Sequence, residues 1–241
     1  GQIGTLLRLG LPIGVAVFME GSLFVATALL IGRMGTTAVA AHQVAINVAS
    51  LAFMIPLGVA MATTVRIGQA AGRGDGTGVR AAGRAGYAIV LATQLATATV
   101  LVAGGAWIAT LYTDDAAVAA LAATLMLFAA AFQFPDGIQA LSAGALRGLK
   151  DTAWPMAITT LAYWGFGMPL GAWLALEAGR GWGPQGMWVG LIGGLSMAAT
   201  LLTWRFWALS RDWPRSAPAT GHPLPEPTAG ELLAALGRSD Q

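Results

Sequence analysis

The sequence has no cysteine, and charged side chains occupy only 10% of its 241 positions. The absence of cysteine excludes a disulfide framework, a thiolate metal site and a cysteine nucleophile. Soluble domains carry about 25% charged residues, whereas 56% of the residues here are hydrophobic. This composition excludes an ordinary soluble domain and predicts a membrane protein. The net charge of +2 gives no reason to expect a nucleic-acid partner.

Six charge-poor runs are each long enough to cross a bilayer, which takes roughly 20 residues. The runs cover about 9–31, 39–65, 87–111, 117–146, 154–176 and 186–204. They predict an all-α integral membrane fold, with a six-transmembrane-helix bundle over residues 1–211 and a flexible cytoplasmic tail over 212–241. Pro135 is expected to kink or interrupt the fourth run, and Pro56 and Pro169 act similarly in the second and fifth.

Basic residues are divided unevenly between the two ends of these runs. Ten lie on one side, and only Arg33 and Arg180 lie on the other. Because cytoplasmic loops carry an excess of Lys and Arg, this pattern predicts a multi-pass protein of the cell membrane with both termini in the cytoplasm. The first run contains a charge and lacks a small-residue cleavage site, so it is not read as a signal peptide. The chain does not begin with Met, which favours a fragment or a processed piece of a longer protein.

Glu20 is the most informative residue, because the first run has no other charge between Leu9 and Gly32. A carboxylate at the midplane costs about 2.5 to 3.5 kcal/mol, so it is retained mainly where it handles ions, protons or substrate. Asp136 is a second acid of this kind, and it follows Pro135 in the fourth run. A proline at that depth frees backbone carbonyls, which can join the carboxylate around a small cation.

Neither acid has a basic residue within its own run, so a proton, a bound cation or a cationic substrate has to neutralise it. The sequence therefore predicts that Glu20 and Asp136 bind a coupling ion, H+ or Na+. No other metal and no organic cofactor are expected. The alternative is that each acid is protonated and donates one hydrogen bond to a neighbouring helix, which contributes about 0.6 to 2 kcal/mol.

Further polar and aromatic side chains are candidates for lining a cavity near these acids. Amides of the second run share a helical face, and amides of the fourth run lie about one turn on either side of Asp136. Aromatic side chains of the fifth run offer ring faces to a cation. For the amides the alternative is interhelical packing, and for the aromatics it is contact with lipid or the interface. The candidates are Gln43, Asn47, Gln133, Gln139, Tyr163 and Trp164.

Glycine is abundant, with 33 residues, and many lie inside the runs. Gly190 and Gly194 are four residues apart in the last run, a spacing that favours close helix packing. The alternative is a general compositional bias of the sequence towards Ala, Gly and Arg.

Short groups of residues follow one another along the runs in a fixed order. They are Gly10, Pro12 and Glu20; His42 and Gln43; Pro56, Gly58, Arg66 and Gly68; Gln133, Pro135, Asp136, Gly137 and Gln139; Gly144, Arg147, Gly148, Asp151 and Pro155; Tyr163, Trp164, Gly167, Pro169 and Gly171; and Gly183, Gly186, Trp188 and Gly190. In this order and placement the chain resembles the carboxy-terminal half of multidrug and toxic compound extrusion (MATE) transporters. The resemblance covers about residues 10–211.

This resemblance implies one lobe of a two-lobe (6+6) antiporter, and not an enzyme. Such a transporter exports cationic amphipathic compounds in exchange for H+ or Na+, and Glu20 and Asp136 match the family's cation site in this lobe. The implied partners are membrane lipid, a cationic small molecule, and the missing amino-terminal six-helix lobe or a partner subunit. The acid that the amino-terminal lobe supplies in many members has no counterpart in this chain.

Other functions stay open on the sequence alone. One is a half-size membrane subunit or passive channel that must dimerise, and another is a flippase-type exporter of lipid-linked saccharides from the same superfamily. An intramembrane serine protease needs a Ser nucleophile within reach of a His base. Ser142 lacks the first glycine of the nucleophile pattern, and His42 precedes it by a hundred residues, which disfavours the protease.

Overall fold

The computed structural model describes residues 2–176 and 179–213, and every element in these ranges is helical. The elements are α1 (Gln2–Gly32), α2 (Thr36–Gly72), α3 (Gly76–Tyr112), α4 (Ala116–Gly148), α5 (Ala153–Thr160), a π-helix (Leu161–Gly167), α6 (Met168–Ala175) and α7 (Pro184–Asp212). Residues 214–241, which form nearly all of the predicted tail, lie outside the described residues.

Among the described helices, α1, α2, α3, α4 and α7 are long and apolar enough to cross a membrane. The fifth predicted run corresponds to α5, the π-helix and α6, which follow one another without a gap. Together these three segments are about as long as one crossing. The all-α multi-pass membrane bundle predicted from the sequence is confirmed.

Helix α4 occupies the centre of the bundle and packs against α2, α3 and α7. Its buried side chains, among them Leu125, Met126 and Phe132, form most of the largest apolar core together with residues of α2 and α7. Helix α1 packs mainly against α5 and α2. It leaves apolar side chains such as Phe18 and Leu29 exposed, as suits a helix that faces lipid.

Two of the three prolines do not interrupt their helices, which was one of the two effects that the sequence predicted for them. Pro56 and Pro135 lie inside α2 and α4, and both helices continue through them without interruption. Both prolines are buried, and packed neighbours can hold a helix together around a missing backbone hydrogen bond. The altered backbone lies instead in the fifth run, where the π-helix ends two residues before Pro169. In a regular α-helix a proline ring clashes with the carbonyl four residues earlier. For Pro169 that carbonyl belongs to the π-helix, whose hydrogen bonds are spaced differently from those of an α-helix.

Glycines bring α7 into backbone contact with the π-helix and α6. A Cβ at Gly190 would collide with the backbone of Gly171 and would lie 2.6 Å from the carbonyl oxygen of Gly167. A Cβ at Gly194 would lie 3.0 Å from the Cα of Gly167. The close packing predicted from the spacing of Gly190 and Gly194 is confirmed.

The turns at one end of the bundle are fastened by arginines. Arg205 of α7 forms an ion pair of 2.6 Å with Asp151, which follows α4, and its guanidinium lies 4.7 Å from the ring centre of Trp154. Arg80 of α3 donates a hydrogen bond of 2.8 Å to the carbonyl oxygen of Ser210. These contacts join the ends of α3, α4 and α7 at one end of the bundle.

Candidate cation site

Two cavities meet at Glu20 of α1. The first, here called the wide cavity, has a volume of about 400 Å³ and lies between α1, α2, α4 and α5. The second, the narrow cavity, has a volume of about 210 Å³ and lies between α1, α2 and α4. Glu20, Phe24 and Phe53 line both. The wide cavity alone falls within the range of about 300 to 1,000 Å³ that is usual for small-molecule sites.

The two predicted acids come together in the narrow cavity. Asp136 and Glu20 both line it, and they lie near enough for their charges to affect each other. Asp136 is 5% exposed, and its Oδ1 atom has no hydrogen-bond partner among the described residues. Glu20 is half-buried, and its carboxylate likewise has no hydrogen bond within the described part of the chain. A buried carboxylate oxygen without a partner is costly, which favours a site that a proton or a cation occupies.

Aromatic rings form the apolar wall of this site. Phe24 and Phe132 line the narrow cavity, and their ring centres are 6.2 Å apart in an edge-to-face arrangement. The ring of Phe132 also packs edge-to-face against Trp188, with the ring centres 5.6 Å apart. Trp188 packs in the same way against His42, at 5.8 Å. A carboxylate pair beside ring faces matches the two features that an organic cation needs, which are opposite charge and aromatic contact.

Arg147 is a charged member of the site that the sequence analysis missed. It lies in the last turn of α4 and lines the wide cavity together with Glu20, close enough for the two charges to interact. The sequence showed no basic residue within the run of either acid, but Arg147 lies one residue beyond the end of the fourth run. Arg147 follows Asp136 by eleven residues, or about three helical turns, so it lies on the same face of α4. That spacing was the signal in the sequence.

The amides predicted near Asp136 have different surroundings. Gln139 is buried and lines the wide cavity. Gln133 is buried between α3 and α4, where its backbone carbonyl accepts a hydrogen bond of 2.6 Å from Gln94 and its side-chain oxygen accepts one of 2.7 Å from Thr97. The surroundings of Gln133 therefore match the packing alternative, whereas those of Gln139 match the cavity prediction.

The amides predicted on α2 are exposed. Gln43 and Asn47 lie on one face, and Asn47 accepts a hydrogen bond of 2.9 Å from the hydroxyl of Tyr112. Ser50 lies one turn further along this face and lines the narrow cavity. A polar strip thus runs along α2 from the exposed surface of the bundle into the narrow cavity.

The two aromatic candidates differ sharply in exposure. Tyr163 is fully buried, and its hydroxyl has no hydrogen-bond partner among the described residues. It lies close enough to Glu20 and Asp136 for their charges to act on its hydroxyl. Trp164 is 38% exposed. Its indole N–H donates a hydrogen bond of 3.3 Å to the carbonyl oxygen of Met19, which ties the π-helix to α1 directly before Glu20.

The arrangement needed by a serine protease is absent from the described residues. The hydroxyl of Ser142 bonds with Tyr87 at 2.7 Å and with Thr203 at 2.9 Å. The predicted base, His42, instead packs against Trp188. The described residues also contain no group of three or more His, Cys, Asp or Glu side chains that could hold a metal ion.

Comparison with known proteins gives a consistent result. The MatE family model matches residues 12–173. The chain is 66% identical over 209 residues to a "Probable multidrug resistance protein NorM" of Xanthomonas campestris pv. campestris, covering 87% of this chain and 45% of the relative. It is 42% identical over 241 residues to "Multidrug resistance protein PmpM" of Pseudomonas aeruginosa, covering 98% of this chain and 49% of the relative.

Solved structures match the fold over a similar extent. The eukaryotic MATE transporter AtDTX14 superposes with a TM-score of 0.79 at 20% identity, covering 86% of this chain and 48% of that one. An outward-facing MATE transporter of the MOP superfamily gives a TM-score of 0.74 at 20% identity, covering 86% and 47%. The chain therefore spans about half the length of the curated relatives and of the solved transporters that it matches.

Proposed function

Because the chain belongs to the MatE family, we propose that it forms one lobe of a multidrug efflux antiporter. In this proposal the lobe binds cationic amphipathic compounds and exchanges them for H+ or Na+. The observation that carries the proposal is the meeting of two carboxylates, Glu20 from α1 and Asp136 from α4, at a cavity with aromatic walls.

The exchange follows from electrostatics. With both acids ionised and the site empty, two negative charges lie together in surroundings of low polarity, which is unfavourable. A proton, a sodium ion or an organic cation removes part of this repulsion, and each of them weakens the attraction for the next. Binding of one therefore favours release of another. A membrane potential adds about 2.3 kcal/mol for each charge that moves through 100 mV.

The proposal includes a second six-helix lobe on the side of α2 that is open in this chain. Gln43 and Asn47 are exposed there, and polar side chains in a membrane usually face a bundle interior or a water-filled cavity. A partner lobe, supplied by a longer polypeptide or by another subunit, would enclose this strip. We also propose that the end bearing Arg80, Arg205 and the α4–α5 turn faces the cytoplasm of a cell-membrane protein.

A chimaera tests the proposed function. The chain is joined to the half of the Xanthomonas relative that it does not match, and the purified product is reconstituted in vesicles that carry a proton or sodium gradient. We expect gradient-driven movement of ethidium in the chimaera and none in vesicles that contain this chain alone. The intact relative serves as the reference for reconstitution.

Two outcomes would contradict the proposal. Gradient-driven ethidium movement by the chain alone would show that no second lobe is needed. Ethidium leakage through a folded chimaera at a rate independent of both gradients would indicate a passive channel.

A further inference from the structure

We propose that Arg147 sets the charge of the cation site so that one positive charge neutralises it, which makes the lobe selective for monocations over dications. This inference rests on the proposed function and assigns the charge class of the substrate. It starts from the shared cavity, in which Arg147 of α4 and Glu20 of α1 both form part of the wall.

Arg147 is held in the site by the helix that also carries Asp136. The last turn of α4 places it at the wide cavity, while Asp136 lies about three turns earlier at the narrow cavity. Glu20 belongs to both cavities. The two acids and the arginine therefore line two neighbouring cavities that have Glu20 in common.

The neighbouring charges at this end of the bundle are engaged elsewhere. Asp151 is paired with Arg205 at 2.6 Å, and Lys150 is exposed. The charged side chains that line the two cavities are Glu20, Asp136 and Arg147. With both acids ionised and the guanidinium permanently protonated, these three groups carry a net charge of −1.

The positive charge of Arg147 is not neutralised by a partner among the described residues. In the described part of the chain its side chain forms neither an ion pair nor a hydrogen bond, and it is half-buried. Arg147 and Glu20 line the same cavity, and no ion pair joins them in the described part of the chain. One carboxylate charge is thus balanced by the protein itself, and the remaining charge needs one proton, one sodium ion or one monocation.

The first test compares two dyes that share one ring system, the monocation ethidium and the dication propidium, in the reconstituted chimaera. In Arg147→Gln the site carries a net charge of −2, so the affinity for propidium relative to ethidium should rise about tenfold or more. Arg147→Lys keeps the charge and should keep the original ratio. Arg84→Gln, which removes an exposed arginine of α3 that lines neither cavity, is the matched control and should also keep it.

The second test uses suppression, which a merely structural role of Arg147 would not produce. Glu20→Gln alone leaves Asp136 and Arg147, with a net charge of zero, and should lose ethidium binding. The double variant Glu20→Gln/Arg147→Gln returns the site to −1 and should bind ethidium again, more tightly than the single variant does.

The results separate this inference from the proposed function. If folded Arg147→Gln has the same affinity for propidium relative to ethidium as the parent, the charge-setting role is overturned. Ethidium exchange by the parent chimaera would still support the proposed function. If Arg147→Gln does not fold, the ratio measured in Arg147→Met decides in the same way. If neither folds, the parent chimaera decides without any substitution: a propidium affinity equal to or above that for ethidium overturns the role. Loss of ethidium exchange in the parent chimaera itself would instead refute the proposed function.

Discussion

Replacing Asp136 with asparagine, or Glu20 with glutamine, is expected to abolish gradient-driven efflux of ethidium by the chimaera. Each change removes one of the two charges that meet at the narrow cavity and leaves a side chain of nearly the same size. Removing a carboxylate that faces a bound cation in a buried site costs about 2 to 5 kcal/mol of binding free energy. Dye affinity should therefore fall about thirtyfold or more, and efflux should fall to the background of protein-free vesicles.

The control for this prediction is Asp114→Asn. Asp114 is an acid of the α3–α4 turn that is exposed and lines neither cavity. Its replacement should leave efflux unchanged. Efflux at the parent rate in both Glu20→Gln and Asp136→Asn would show that these carboxylates serve packing alone, as the hydrogen-bond alternative holds.

The second large effect is expected at Gly190, where alanine should strongly destabilise the lobe. Its Cβ would collide with the backbone of Gly171, and a backbone cannot turn aside as a flexible side chain can. Overpacking commonly costs about 1 to 3 kcal/mol, and we expect the upper end of that range. For a chain of this size the melting temperature in detergent should fall by about 6 to 12 °C.

Gly58→Ala is the matched control for this substitution. Gly58 lies within α2, and a Cβ there would meet nothing within 4 Å. Since alanine favours a helix over glycine by about 0.5 to 1 kcal/mol, this variant should melt at the same temperature as the parent or slightly above it. Equal melting of Gly190→Ala and Gly58→Ala would contradict the close contact between α6 and α7.

The sequence predicted the fold well because the bilayer restricts the possible structures. A run of about 20 apolar residues without charge has to be helical in lipid, and each predicted run falls on described helix, although α2 and α3 extend well beyond their runs. Where the helix backbone departs from regularity depends on tertiary packing. Pro56 and Pro135 were expected to kink or interrupt their helices, but α2 and α4 continue through them without interruption, and a π-helix occurs just before Pro169.

The site was predictable where a single residue carried the signal. Glu20 and Asp136 stood out because a charge inside an apolar run is rare, and the fold brings them to one cavity. Their role as a cation site stays a prediction. Arg147 was overlooked because it lies just outside a run, where a basic residue usually reports topology. Only the position of α1 beside the last turns of α4 reveals that it shares a cavity with Glu20.

The amides show why polarity alone does not identify a cavity. Gln133 and Gln139 are six residues apart on α4 and looked equivalent in the sequence. Helix α3 covers Gln133 through Gln94 and Thr97, whereas the face of Gln139 opens towards α1 and α5. Which helix covers which face is decided by contacts between distant segments, and these do not appear in local spacing.

The most direct test of the account is to measure the ion that leaves when ethidium binds to the purified chimaera. If Glu20 and Asp136 exchange positive charge, binding should release one proton or displace one sodium ion for each dye cation. The double variant Glu20→Gln/Asp136→Asn should then neither bind the dye nor release an ion. Ethidium binding of equal strength in the parent and the double variant, with no ion released by either, would contradict the central claim.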